Sequence, residues 1–407
     1  MSADHHSISF SSQQCKPPRK VYATDIGVRR LTVACSCGAA THTFTIAISA
    51  PPLTSHLCSC DTSRRISGSL ITSYINIKNE FSNSKPELSR LTPYHSSNKL
   101  TRHFCSNCGT HMYLEYRFDG HFEAATGTLQ VHDTKGVVKY ESCMWVEDTK
   151  DGGASDWLGH INGTDLRMWT QEASASAFVP MDFFSILSQI RRPSKRSVRA
   201  HCHCNGVEFW IQYPNAASKT ARSDFPDLMK PYHLGPDAST NPSNKTWWLR
   251  NGDTRFLAGT CACLSCRRAS GFDITFWAFI PTANIFLDSD LTQPFPPYDA
   301  EHRNKYWGTM KTYQSSPGVT RTFCGKCGAT VFWDGGQGKG RNGLVDVAVG
   351  LLDAETGARA EELLEWWPDR VSFEEFAVSK GLVEALGKGL KDWKTRSDTR
   401  KARRASL

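Results

Sequence analysis

Thirteen of the fifteen cysteines in this chain fall into two copies of one ordered set of spacings. The upstream copy reads Cys35-Ser-Cys37, then Cys58-Ser-Cys60-Asp-Thr-Ser63-Arg-Arg, then Cys105-Ser-Asn-Cys108-Gly. The downstream copy reads Cys202-His-Cys204, then Cys261-Ala-Cys263-Leu-Ser-Cys266-Arg267-Arg268, then Cys324-Gly-Lys-Cys327-Gly. Ser63 stands upstream where Cys266 stands downstream. A fold that satisfies this pattern must gather widely separated thiols, and must do so twice.

Met1 to Lys20 is polar, rich in Ser and His, and lacks the apolar segment of a secretory leader. This predicts a reducing compartment, the cytoplasm or the nucleus, where clustered cysteines are metal ligands more often than disulfides. Cys15 and Cys143 lie outside the repeated set and read as a tail thiol and a core thiol. Two thiols on one hairpin supply half a tetrahedron, so each Cys-x-Cys needs a partner, and the distant Cys-x-x-Cys is the natural donor. The expected sites are Cys35, Cys37, Cys105 and Cys108 in one half and Cys202, Cys204, Cys324 and Cys327 in the other. Four thiolates leave zinc no open position, so both sites should be structural. Such an ion contributes about 10–16 kcal/mol in small peptides, comparable with the stability of a whole domain.

The middle motif has a different prospect. Cys261, Cys263 and Cys266 can converge on one ion from a single loop and leave the fourth position for water or a substrate thiol, which the metal would keep ionised. The chemistry that follows is attack of sulfur on an electrophilic carbon, or the reverse cleavage of a carbon–sulfur bond; a fourth protein ligand would instead make this a second structural site. Arg267 and Arg268 offer forked donors to substrate carboxylates, or act as supporting arginines. Ser270 and Gly271 read as a turn. Upstream, Cys58 and Cys60 form only two-thirds of such a site. A serine hydroxyl resists ionisation, so a fourth zinc ion would bind weakly there or recruit Asp61 or His56; the other reading is a degenerate, structural copy.

Alternating apolar residues flank the motifs, with Phe44, Ile46 and Ile48 upstream and Val207, Phe209 and Ile211 downstream, as in half-buried strands joined by hairpins. Helical periodicity is sparse, and the better candidates are Phe183 to Ile190 and Glu361 to Trp367. The expectation is a mainly β protein: two tandem zinc-binding domains of short coiled sheets and hairpins over 28–165 and 198–380, each with its own core. A Ser/Ala-rich and basic linker over 166–197 joins them, and a basic tail covers 381–407. The insertion near 214–250 reads as a surface flap anchored by Trp247 and Trp248. The net charge of +8 points toward polyanions until it is located: the last twenty residues carry eight basic and two acidic side chains, leaving +2 for the rest. A solvated, disordered end accounts for that tail. No run of apolar residues approaches a membrane span.

The downstream residues Gly259-Thr-Cys261-Ala-Cys263-Leu-Ser-Cys266-Arg-Arg-Ala-Ser-Gly271, Phe276-Trp-Ala-Phe-Ile-Pro281 and Arg321-Thr-Phe-Cys324-Gly-Lys-Cys327-Gly328 resemble the glutathione-dependent formaldehyde-activating enzyme family, which includes centromere protein V. The resemblance spans roughly 28–160 and 198–375, and tandem copies look like fungal members of the family. It implies a β-rich zinc fold with structural four-cysteine sites and a catalytic three-cysteine site. The implied reaction is condensation of glutathione with formaldehyde, a carbon–sulfur lyase reaction in its reverse sense, with Zn2+ as cofactor and small thiols and aldehydes as partners. The departure at Ser63 predicts an inactive upstream copy. The alternative is a non-catalytic, zinc-stabilised binding module of the centromere protein V type, using the tail on nucleic acid or tubulin in a salt-sensitive way. A metal-transfer protein fits less well, because most thiols are committed to rigid sites.

Overall fold

The computed structural model describes residues 27–77, 85–173, 176–179, 195–296, 307–336 and 340–405. In the upstream half, β1 (Val28–Ala34) and β2 (Thr41–Ala47) form an antiparallel hairpin with the first Cys-x-Cys at its turn. Strand β3 (Leu53–Cys58) delivers Cys58 to a short helix, α1 (Asp61–Ser67). Then come β4 (Tyr74–Asn76), β5 (Leu91–His95), β6 (Leu100–Cys105), β7 (His111–Tyr116), β8 (Phe122–Ala125) and β9 (Val138–Met144). They form a five-stranded sheet in the order β4-β8-β7-β6-β5, while β9 runs parallel to β3. An isolated bridge between Cys58 and Thr72 lies at the start of the thiol loop.

The downstream half repeats this plan. The hairpin of β11 (Ser197–His201) and β12 (Glu208–Gln212) carries the second Cys-x-Cys. Strand β13 (Arg255–Cys261) leads into α2 (Leu264–Ser270). Next come β14 (Thr275–Pro281), β15 (Met310–Ser316), β16 (Val319–Cys324), β17 (Thr330–Asp334), β18 (Leu344–Ala348) and β19 (Leu364–Trp366). An eight-stranded sheet runs Leu249–Arg250, β13, β14, β18, β17, β16, β15, with β19 parallel to β13. The match extends to irregularities: the β6–β7 register shifts at His103/Phe104 and the β16–β17 register at Thr322/Phe323, the same position relative to the Cys-x-x-Cys.

The halves share one continuous hydrophobic cluster rather than two cores. They meet about a pseudo-two-fold axis, and the glycines reveal it. A Cβ on Gly68 would lie 2.3 Å from the Thr330 carbonyl oxygen, and one on Gly271 would lie 2.2 Å from that of His111. A Cβ on Gly109 would strike the Phe323 ring at 2.5 Å, and one on Gly328 the Phe104 ring at 2.6 Å. Hydrogen bonds repeat the reciprocity, from Gly127 N to Gly271 O and from Gly350 N to Gly68 O, each at 2.9 Å. Gly68 and Gly271 end α1 and α2 in the left-handed conformation, so both backbone geometry and close approach demand glycine there.

Three expectations are corrected. Glu361 to Trp367 is not helical: Leu364–Trp366 is β19, because the buried β13 edge offers its apolar side chains a partner. Residues 166–173 and 176–179 belong to the upstream half, since β10 (Arg167–Met168) pairs with β9 and Trp169 N donates to Cys143 O at 2.9 Å. The tail forms α3 (Lys380–Ala405). Leu382, Val383, Leu386, Leu390 and Trp393 are buried, and the helix lies against Trp157 of the other half, Trp157 and Trp393 being 5.8 Å apart. The 214–250 insertion is anchored through Trp247 and Trp248, as its sequence suggests. Trp247 and Trp248 are buried and donate to Ser223 O and Ser218 O, and Asp227 accepts from Ser372 Oγ and Phe373 N beside Cys261. Cys143 is fully buried, whereas Cys15 and the candidate helix from Phe183 to Ile190 lie outside the described residues. No helix among the described residues is long and apolar enough to cross a membrane.

Candidate metal centre and active site

Cys35, Cys37, Cys105 and Cys108 converge, as do Cys202, Cys204, Cys324 and Cys327, with all Sγ atoms of each group within 4.8 Å of one another. Sulfur separations of 3.5 Å for Cys35–Cys37, 3.7 Å for Cys37–Cys105 and 3.5 Å for Cys204–Cys324 approach the roughly 3.8 Å edge of a tetrahedron with Zn–S bonds of about 2.3 Å. Amide and hydroxyl donors surround the sulfurs, including Ala40 N to Cys35, Val207 N to Cys202 and Thr309 Oγ1 to Cys324. Such donors favour the thiolate form that a metal needs.

The third group, Cys261, Cys263 and Cys266, also lies within 4.8 Å, and no fourth His, Cys, Asp or Glu joins it among the described residues. Local structure explains the convergence. Cys261 ends β13; Cys263 caps α2 with extended backbone and accepts the Cys266 N–H at 3.3 Å; Cys266 sits in the first turn. Arg321 of β16 is buried beside this trio, donating Nη2 to Cys266 Sγ at 3.3 Å and to Ser265 Oγ at 3.1 Å. Hydrogen bonds from Cys261 and Cys263, reinforced by the Arg321 charge, hold Cys266 far below the usual thiol range. Arg321 Nη1 is buried and meets no acceptor among the described residues. Nearby on β18, burial pushes the Asp346 carboxyl up to about 6 against the pull of Arg341 at 2.6 Å.

The upstream counterpart explains the orphaned donor. Arg102 occupies the position of Arg321, three residues before the Cys-x-x-Cys, and its Nη1 donates to Tyr74 Oη at 3.0 Å. Tyr74 pairs with Ala125 as Trp277 pairs with Ala348, so Trp277 stands in the place of Tyr74 and removes the hydroxyl acceptor. Neither arginine betrays this role in its local sequence. Their common offset from the Cys-x-x-Cys was the available signal.

Arg267 is not placed to bind a ligand. Its guanidinium is buried, pairs with Asp273 at 2.8 Å, and donates to Leu129 O and Thr126 O of the upstream half at 3.0 and 2.8 Å. It clamps the two halves together. Arg268 likewise reaches across to Gln130 Oε1 at 2.9 Å, and its carbonyl accepts from Thr110, next to the upstream four-thiol site. Ser270 and Gly271 form the expected turn.

Cys58 and Cys60 lie with sulfurs 3.5 Å apart, and Ser63 Oγ is 3.5 Å from Cys58 Sγ. Neither proposed substitute ligand turns toward them. Asp61 pairs with Arg64, and His56 Nδ1 bonds Ser142 Oγ at 2.8 Å. Among the described residues this pair gathers no third metal-ligating group, so the recruitment of Asp61 or His56 is not seen there.

No curated protein and no solved structure matches the chain. The family model for glutathione-dependent formaldehyde-activating enzymes matches it twice, over residues 30–148 and 251–369. The second match begins beyond Cys202 and Cys204, which the fold nevertheless returns to Cys324 and Cys327. With both matches covering more than half of its length, the chain belongs to the glutathione-dependent formaldehyde-activating enzyme family as a tandem of two copies.

Proposed function

We propose that the downstream trio holds a zinc ion, and that this site joins a small thiol, glutathione or a relative, to formaldehyde or another small electrophile, or cleaves the resulting adduct. One observation carries this reading: Arg321 Nη1 is a buried donor, unpartnered among the described residues, beside three clustered thiols. A buried donor without an acceptor costs about 1–3 kcal/mol, and a substrate oxygen relieves that cost.

The residues suit the metal. Three thiolates around a divalent cation leave a net charge of about −1, which the adjacent Arg321 guanidinium offsets. Bound zinc supplies Lewis acidity that keeps an incoming thiol ionised near neutral pH. Arg321 Nη1 donates to the aldehyde oxygen as sulfur adds to the carbonyl carbon, the carbon–sulfur bond forms, and the π pair moves onto oxygen, which then takes a proton from solvent. Removing a donor in such a role costs about 10²–10³ in rate. Arg267 and Arg268 hold the loop from behind, through the upstream half. The tail on which a binding-module reading depends is a docked helix, with Arg396 committed to Asp156.

Zinc quantification on wild type and Cys266→Ser, with a glutathione and formaldehyde adduct assay, tests the proposal. The expected result is three ions falling to two, retained tryptophan fluorescence, and loss of adduct formation. Undiminished adduct formation by Cys266→Ser refutes it.

A further inference from the structure

The upstream thiol loop poses an electrostatic problem. Arg102 is buried, and its three hydrogen bonds go to neutral oxygens: Ser96 Oγ at 3.3 Å, Tyr74 Oη at 3.0 Å and Ser63 Oγ at 3.1 Å. Among the described residues it forms no ion pair. A buried guanidinium without a counter-charge is strongly destabilising, so a neighbour must carry negative charge. Burial holds Tyr74 in its neutral form, above the ordinary phenol range. The thiols remain. Cys60 caps α1, accepting the Ser63 N–H at 3.2 Å. Hydrogen bonds from Cys58 and Ser63, with the Arg102 charge, bring Cys60 down to about 6. Cys60 is also the partly exposed member, while Cys58 is buried behind it.

A thiolate balanced by an arginine rather than a metal, with a second thiol 3.5 Å away, is the arrangement of a reactive dithiol. We propose that Cys58 and Cys60 form a metal-free redox pair whose substrate is a low-molecular-weight disulfide. The Cys60 thiolate attacks one sulfur of that disulfide, breaking its S–S bond, forming a mixed disulfide and releasing one thiolate. Cys58 then attacks Cys60 Sγ, forming the Cys58–Cys60 bond and expelling the second thiol, to which its proton passes. The protein loses two electrons and the small disulfide gains them. Closure to a bond of about 2.05 Å needs side-chain rotation over roughly 1.5 Å. The Ser63 replacement is what permits this, because a third thiol would complete a metal site like the one downstream.

The test treats the full-length, zinc-loaded protein with oxidised glutathione near pH 7, followed by acid quench, differential alkylation and chymotryptic mapping, with cleavage at Phe44 separating Cys58 and Cys60 from Cys35 and Cys37. Expected are early accumulation of the Cys58–Cys60 disulfide with zinc content unchanged, a stable mixed disulfide on Cys60 in Cys58→Ser, and reaction slowed about tenfold in Arg102→Gln. Three results overturn the proposal: a further zinc ion protecting this pair, oxidation of the other three thiol groups before it, or a Cys60 rate indifferent to Arg102→Gln. The Cys58→Ser trap does not depend on how well the arginine variant folds.

Discussion

Gly271→Ala probes the contact on which the tandem arrangement rests. Gly271 sits at φ +85°, and a Cβ there would lie 2.2 Å from the His111 carbonyl oxygen. The left-handed conformation costs a non-glycine residue about 1 kcal/mol. A contact that short also forces the facing β7 backbone away by roughly 1 Å, an overpacking cost of about 2 kcal/mol. Parting the halves strains the Gly127 N to Gly271 O bond, worth about 1 kcal/mol. Together these predict a loss of about 4 kcal/mol. Gly318→Ala is the control: it has φ +74° but open space around the new methyl, so only the conformational cost of about 1 kcal/mol applies. Gly68→Ala, its Cβ 2.3 Å from the Thr330 carbonyl oxygen, should match Gly271→Ala because the axis makes the two positions equivalent. Urea denaturation at saturating zinc, followed by tryptophan fluorescence, measures all three. If Gly271→Ala and Gly318→Ala fall within about 0.5 kcal/mol of each other, the halves do not meet as described.

Two further tests address other parts of the fold. A mid-helix Gly→Ala change ordinarily stabilises by up to about 1 kcal/mol; in α3 this should hold for Gly387→Ala, which faces open space, and reverse for Gly389→Ala, whose Cβ would lie 1.8 Å from the Trp157 carbonyl oxygen. Thermal melting that shows both variants stabilised would place α3 elsewhere. Burial, with the Arg102 charge adding to it, lowers His111 from 6.5 to about 4, and its Nε2 bonds the Ile66 and Gly328 carbonyls, both at 3.0 Å. A depressed folded-state value means the unfolded chain takes up the proton first. The stabilisation is therefore complete above about pH 6.5 and declines as pH falls toward 4, a change on the order of 3 kcal/mol. The difference in unfolding free energy between wild type and His111→Gln, tracked across that window, should contain this slope; a flat difference would show that His111 is not buried in neutral form.

Much of the site was legible before any coordinates. Thiol spacing specifies a metal polyhedron because bond lengths and angles at zinc leave few alternatives, and Cys35 with Cys108, or Cys202 with Cys327, could be paired on that ground alone. The turn at Gly271 was legible for a similar local reason. Arginine roles were not, because a guanidinium is long enough to serve substrate, thiolate or backbone, and only neighbours decide which. Arg267 proved to be a clamp on Leu129 and Thr126, while Arg321 faces the thiols.

The sequence by itself determined the repeat, the two four-thiol sites, the incomplete upstream trio and the β-rich character, since each follows from covalent spacing or strand alternation over a few residues. Tertiary structure alone decided that the halves share one core, that the charged tail is a helix strapped across Trp157, and that Trp277 leaves Arg321 a free donor where Tyr74 satisfies Arg102. Those outcomes depend on groups brought together from more than a hundred residues apart or from opposite strands, and no local pattern encodes which buried polar atom will find its partner.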